Sequence, residues 1–183
     1  VATQDLLIER GFAGTTVDAV ARAAGSGKAA VYRRWESKTA LVIAAVRALY
    51  QPPEIPDTGS LRGDLLAWAL HYTGDSPRAL LVLGSVLSEL GTDQELATAA
   101  YEAIGSSPVR MIDAVLERWS TEGTIPAGAP LDLVRSVVPS LAFTSVVLRR
   151  ETFTADTACE LVDRVLLPAL LGPAPTGAAA ATG

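Results

Sequence analysis

Set at about 100° intervals on a helix, Lys28, Ala29, Tyr32 and Arg33 fall on one face, and Val31 and Trp35 on the opposite one. Two cations and a phenol around one small residue let a backbone approach a nucleic-acid groove while the long side chains reach phosphates and base edges. An isolated cluster of Lys28, Arg33 and Arg34 would read as the solvated side of a surface helix, so the preceding residues decide. Thr15, with Asp18 three positions on, is a capping-box-like helix start. Val17, Val20, Ala21 and Ala24 then follow at i, i+3, i+4 and i+7, one buried face. Gly25 supplies the stop, and Ser26-Gly27 completes a turn short enough to set two helices at a steep angle. Cap, turn, inward face and basic outward face agree on a DNA-binding helix-turn-helix.

The segments RGFAGTTVDAVARAAG, KAAVYRRW and SKTALV, within about Leu6 to Val46, resemble the tetracycline-repressor (TetR) family of bacterial transcription regulators. The resemblance implies that Thr16, Lys28, Tyr32 and Lys38 touch DNA phosphates. One departure stands out: Ser26 and Gly27 occupy positions where the family pattern has a bulky aliphatic residue and then Ser. Glycine can cap a helix there but makes no side-chain bond to DNA. The chain begins at Val1, partway along the family's first helix, so further residues are expected upstream.

With 49% hydrophobic and 19% charged residues, the chain can bury a sizeable core and is not of disordered composition. The net charge of −5 argues against a general nucleic-acid binder, but it hides an asymmetry. Residues 1–50 hold 7 basic and 4 acidic side chains, residues 51–183 hold 8 and 16, and both lysines lie in the first part. A positive head on an acidic body suits a sequence-specific DNA binder, because the body resists lying along the duplex. Cys159 is alone, which rules out an internal disulfide and reads as a small buried residue in a reducing, cytoplasmic setting. The longest uncharged helical stretch, Ser136 to Leu148, is 13 residues, short for a bilayer, and no signal-peptide pattern is present. His71 has no neighbours at metal-ligand spacing, and Gly25-Ser26-Gly27-Lys28 lacks both the full spacing of a phosphate loop and a preceding strand. No metal, cofactor or catalytic constellation is expected, and hence no enzyme.

The remaining chain reads as helices only. Ser37 caps a helix to about Leu49, and QPPEIPDTG ends it. Further helices are expected over 60–73, 77–90, 93–123 with a kink or break at 105–108, 131–149 and 155–171. The expected fold is therefore all-α. A three-helix DNA-binding head (residues 1–49) and a linker (50–60) precede a helical effector-binding and dimerisation domain (61–172) and a flexible tail (173–183).

Two stripes late in the chain, one with Val134, Val138, Leu141 and Ser145 and one with Leu161 and Val165, either finish the core or pair with a second copy. A helix-turn-helix that reads half-sites favours a homodimer on a palindrome, and the family resemblance implies a four-helix interface. Trp68 and Tyr72 with His71 beside them, Met111 with Val115, and Phe143 with Val147 are the candidate lining of a small-molecule pocket. The expected function is a repressor released by a small apolar effector. The alternatives are an activator, a ligand-independent regulator of the same fold, or a helical protein-binding or enzymatic domain.

Overall fold

The computed structural model describes residues 1–50, 54–73 and 76–172. Its helices are α1 (Ala2–Gly14), α2 (Val17–Ala23), α3 (Lys28–Tyr32), α4 (Lys38–Arg47), α5 (Leu61–Leu70), α6 (Pro77–Leu87), α7 (Gln94–Ala100), α8 (Ser106–Thr121), α9 (Leu131–Thr144), α10 (Ala155–Leu161) and α11 (Leu167–Leu171). No strand occurs among the described residues. Six of these helices open on a side-chain oxygen that accepts a first-turn N–H: Thr16, Ser37, Ser60, Ser76, Asp93 and Thr154.

Three π-helical turns, Tyr101–Gly105, Ser145–Arg149 and Val162–Leu166, join or extend the later helices. Two of them sit just before a proline. Pro108 has no N–H, and its ring would crowd a carbonyl one turn back. The widened turn, in which the Ser106 N–H reaches the Tyr101 carbonyl, carries the helix past it. The stretch expected to kink or break at 105–108 therefore continues through a bulge, and the Val162–Leu166 turn precedes Pro168 in the same way.

Three apolar clusters result. Leu6, Val17, Val20, Ala21, Val31 and Leu41 hold the head together. The body is centred on Trp68, with Leu65, Ile112, Val115, Val138 and Leu166 around it. The third cluster belongs to both parts: Leu7, Phe12, Val42 and Val46 of the head pack with Val82, Val86, Leu96 and Ala100 of the body. Polar bonds reinforce that seam. Arg78 on α6 donates to Gln4 Oε1 at 3.0 Å and to Asp5 Oδ1 at 2.7 Å, and Gln4 Nε2 donates to the Ala45 carbonyl at 2.9 Å. Movements of α6 and α7 are thus felt directly by α1 and α4.

Residues 54–60 are non-helical, and the fully buried Asp64 carboxylate pins them. It accepts from the Thr58 N–H at 2.8 Å, Thr58 Oγ1 at 2.7 Å, Trp119 Nε1 at 2.8 Å and Arg118 Nη2 at 2.5 Å. Arg118 Nη2 also donates to the Pro56 carbonyl at 2.6 Å. The rest of the expected linker, 51–53, and the tail 173–183 lie outside the described residues.

The two stripes named for dimerisation divide between inside and outside. Val134, Val138 and Leu161 are buried in the chain's own core, because α9 and α10 close over α5 and α8. Leu141 and Val165 stay 40% and 45% exposed, Ser145 is half-buried, and Leu133 and Leu148 lie open on the outer side. Leu131–Arg149 is also the one helical stretch among the described residues long and apolar enough to cross a membrane. It carries Asp132, Arg135 and Arg149, and its inner residues pack into the body core.

Candidate nucleic-acid interface and ligand cavity

Adjacent threonines divide two tasks at the start of α2. Thr16, not Thr15, is the cap: its Oγ1 accepts from the Ala19 N–H at 3.2 Å. Thr15 is buried and donates to the Gly11 carbonyl at 2.7 Å, locking the end of α1. Asp18, read from sequence as part of the cap, pairs instead with Lys28 across the turn, Nζ to Oδ1 at 2.9 Å. The turn has a Schellman pattern, with Ser26 N–H on the Ala21 carbonyl, Gly25 N–H on the Arg22 carbonyl and Gly25 at φ +62. That left-handed conformation is one a side chain would strain.

These bonds fix the presentation of α3. Val31 is buried and Trp35 half-buried beneath it, while Lys28, Ala29, Tyr32 and Arg33 are exposed together, Tyr32 at 45%. The helix itself is short, Lys28–Tyr32. Lys28 lies 5.8 Å from the Tyr32 ring centre, and the hydrogen bond and charge of Asp18 raise its pKa above the ordinary value. Thr16 is exposed nearby at the first residue of its own turn. Lys38 sits 3.9 Å over the Phe12 ring and reaches the Ala13 carbonyl at 3.5 Å. Burial lowers its pKa, against the opposing pull of Asp93 and Glu89 from the body. All six residues named for DNA contact lie on the head, five of them on its exposed surface and Lys38 half-buried at the start of α4.

A cavity of about 570 Å³ lies in the body, at the seam with the head. His71, Tyr72 and Phe143 line it, as the sequence suggested. The other four candidates are elsewhere. Trp68 is fully buried, donates from Nε1 to the Pro108 carbonyl at 3.1 Å and meets the Tyr72 ring edge-on at 5.8 Å, one layer behind the wall. Met111 and Val115 fill the same core, and Val147 borders a separate cleft of about 270 Å³ between α1 and α6. Residues not foreseen complete the wall: Leu49 and Tyr50 from the end of the head, Leu83 and Leu87 from α6, and Tyr101 and Phe153. Tyr101 and Phe153 had no periodic partner to mark them; Tyr50 could have been found from its place directly after the helix that starts at Lys38. Burial pushes the Tyr50 and Tyr72 phenols up to about 12 and lowers His71 below its ordinary 6.5. Among the described residues, no Asp, Glu, Lys or Arg lines the cavity. No cluster of metal-ligating side chains occurs among the described residues.

A basic helix-turn-helix presented by a compact head, joined through a shared core to a cavity-bearing helical body, defines a DNA-binding transcription regulator. Comparison with known proteins agrees. Residues 1–45 match the family model for bacterial regulatory proteins of the tetR family, and residues 55–165 match that for a tetracyclin repressor-like C-terminal domain. The uncharacterized HTH-type transcriptional regulator Rv1556 of Mycobacterium tuberculosis is 35% identical over 170 residues, 92% of this chain and 84% of that protein. The DNA-binding transcriptional repressor TetR of Mycobacteroides abscessus is 28% identical over 140 residues, 74% and 73% of the two chains. Among solved structures, the transcriptional regulator FadR from Bacillus subtilis in complex with stearoyl-CoA superposes with a TM-score of 0.70 at 16% identity. It covers 94% of this chain and 96% of that one, a likeness of fold. The chain belongs to the TetR family of bacterial transcription regulators.

Proposed function

We propose that the chain acts in the cytoplasm as a homodimeric repressor that binds palindromic double-stranded DNA and releases it when a small, largely apolar molecule fills the cavity. In this reading Arg33 reads a base edge, Ala29 lets α3 approach the groove, and Thr16, Lys28, Tyr32 and Lys38 hold phosphates. The dimer forms through the outer faces of α9 and of the π-helical turn that follows α10, around Leu141 and Val165. The protein is a binding protein and not an enzyme.

One observation carries the reading. The helix that begins at Lys38 on the DNA side runs into Leu49 and Tyr50, which line the cavity. A ligand that displaces the far end of α4 changes the pose of the head, and in a dimer it changes the spacing of two recognition helices. Fluorescence anisotropy with a palindromic duplex selected from a random library tests this. A molecule that binds the cavity should weaken the duplex about 5- to 150-fold, and the duplex should weaken that molecule by the same factor. Equal ligand affinity in free and DNA-bound protein would refute the mechanism.

A further inference from the structure

We infer that the cavity takes an uncharged, largely apolar molecule bearing a carbonyl-type acceptor, and that the Tyr50 hydroxyl is the group that recognises it. The inference rests on the ligand-release reading above and names the chemistry of that ligand.

The wall has two properties. Most of it is aliphatic or aromatic, with Leu80, Leu83, Leu87 and Phe153 among its residues, and among the described residues no charged side chain lines it. An anion entering such a site would lose its water and meet no cation, a cost that neutral molecules escape. The polar groups that do line it are of another kind. Tyr72 sits edge-on against Trp68, whereas no hydrogen bond to another described residue engages the Tyr50 hydroxyl, for which burial is the whole cause of the raised pKa. A tyrosine hydroxyl is protonated at neutral pH and offers its O–H as a donor, so the one on Tyr50 calls for an acceptor on the ligand.

Tyr50 differs from Tyr72 in what it is attached to. Its N–H bonds the Arg47 carbonyl and the Leu49 N–H bonds the Val46 carbonyl, so Tyr50 prolongs the last turn of α4. Val46 and Val42 behind it are fully buried in the core shared by head and body. Leu49 and Tyr50 are the only lining residues from the first 50. A ligand held at the Tyr50 hydroxyl is therefore held by the DNA-binding head itself, whereas one held at Tyr72 touches α5 and the body.

Three probes that share one ring system separate the possibilities: 2-acetonaphthone (neutral acceptor), 2-ethylnaphthalene (no acceptor) and 2-naphthoate (anion). Isothermal titration with the full chain at about pH 7.5 should give the ketone an affinity about three- to tenfold above the hydrocarbon. The carboxylate should bind at least tenfold more weakly than the ketone. Tyr50→Phe should bring the ketone down to the hydrocarbon's affinity, while Tyr72→Phe should leave most of its advantage. Both variants keep the ring, and far-UV circular dichroism verifies their folding. Tight binding of the carboxylate, a ketone preference that survives in Tyr50→Phe, or no binding of any probe would overturn the inference. A ketone that binds as expected while the selected duplex keeps its full affinity would leave the ligand chemistry standing and refute the release mechanism instead.

Discussion

Replacing Asp64 by Ala tests whether the strap between head and body is held as described. The substitution strips the acceptor from four donors at once: the Thr58 N–H and hydroxyl, Trp119 Nε1 and Arg118. Removing one partner of a buried ion pair costs about 3–5 kcal/mol because the other is left uncompensated. Arg118 is 28% exposed and keeps its bond to Pro56, so water can solvate it and the lower part of that range, about 3–4 kcal/mol, applies. For a chain of this size the loss corresponds to a fall in Tm of roughly 6–16 °C. Asp64→Asn retains the Thr58 bonds but turns an amide donor toward Arg118 and Trp119, and it should fall between.

The pH dependence has a definite sign. Burial alone raises the Asp64 pKa, but the bonds from Thr58, Trp119 and Arg118 outweigh it and leave the group below its ordinary 3.8. A carboxylate depressed in the folded state contributes its stability above the unfolded pKa and loses it as pH falls through the folded value. The gap between wild type and Asp64→Ala should thus be constant from about pH 5 to 8 and shrink below about pH 4. Thermal and urea unfolding followed by circular dichroism measure it. A gap under about 1 kcal/mol at neutral pH, or one that grows on acidification, would refute the reasoning.

On the DNA face, Arg33→Ala should cost roughly 1–3 kcal/mol on the preferred duplex and relax one position, whereas Lys28→Ala and Lys38→Ala should weaken all sequences and lower the salt slope by about one each. Identical losses on specific and random DNA for all three would reduce Arg33 to a phosphate contact. Because Asp18 holds Lys28, Asp18→Asn should strengthen binding to every duplex, and anisotropy at several salt concentrations reads this directly. A glutamate at Leu141 or Val165 should dissociate the dimer without loss of helix, by sedimentation and circular dichroism. The same change at Val138, inside the protomer's own core, should unfold the chain instead.

What could be read from the sequence was local. Gly25, Ser37 and the alternation of Val31 and Trp35 against Lys28 and Arg33 follow from hydrogen bonds and periodicity within a few residues, and the structure has them as expected. Thr15 and Thr16 are chemically equal as caps, and only the folded structure separates them, with Thr15 buried on the Gly11 carbonyl and Thr16 exposed at the cap. Helices apolar on most of their circumference, such as α9, do not reveal which face is inward. Val134 and Leu141 were therefore indistinguishable until α5 and α8 were placed. The cavity was hardest, because its wall comes from helices far apart in sequence. The sequence names Trp68 and Tyr72 together as lining, but the packing of α5 on α8 buries Trp68 in the core, and of the two only Tyr72, beyond the end of α5, lines the cavity.

Selection of bound duplexes from a random library with the full chain tests the central claim most directly. The account predicts enrichment of a palindrome whose half-sites are centred about 10 base pairs apart, or a multiple of that turn, bound by two copies of the chain. Arg33→Ala should enrich the same palindrome with one position in each half degraded. Failure to enrich any sequence, or a non-palindromic site bound by a single copy, would contradict it.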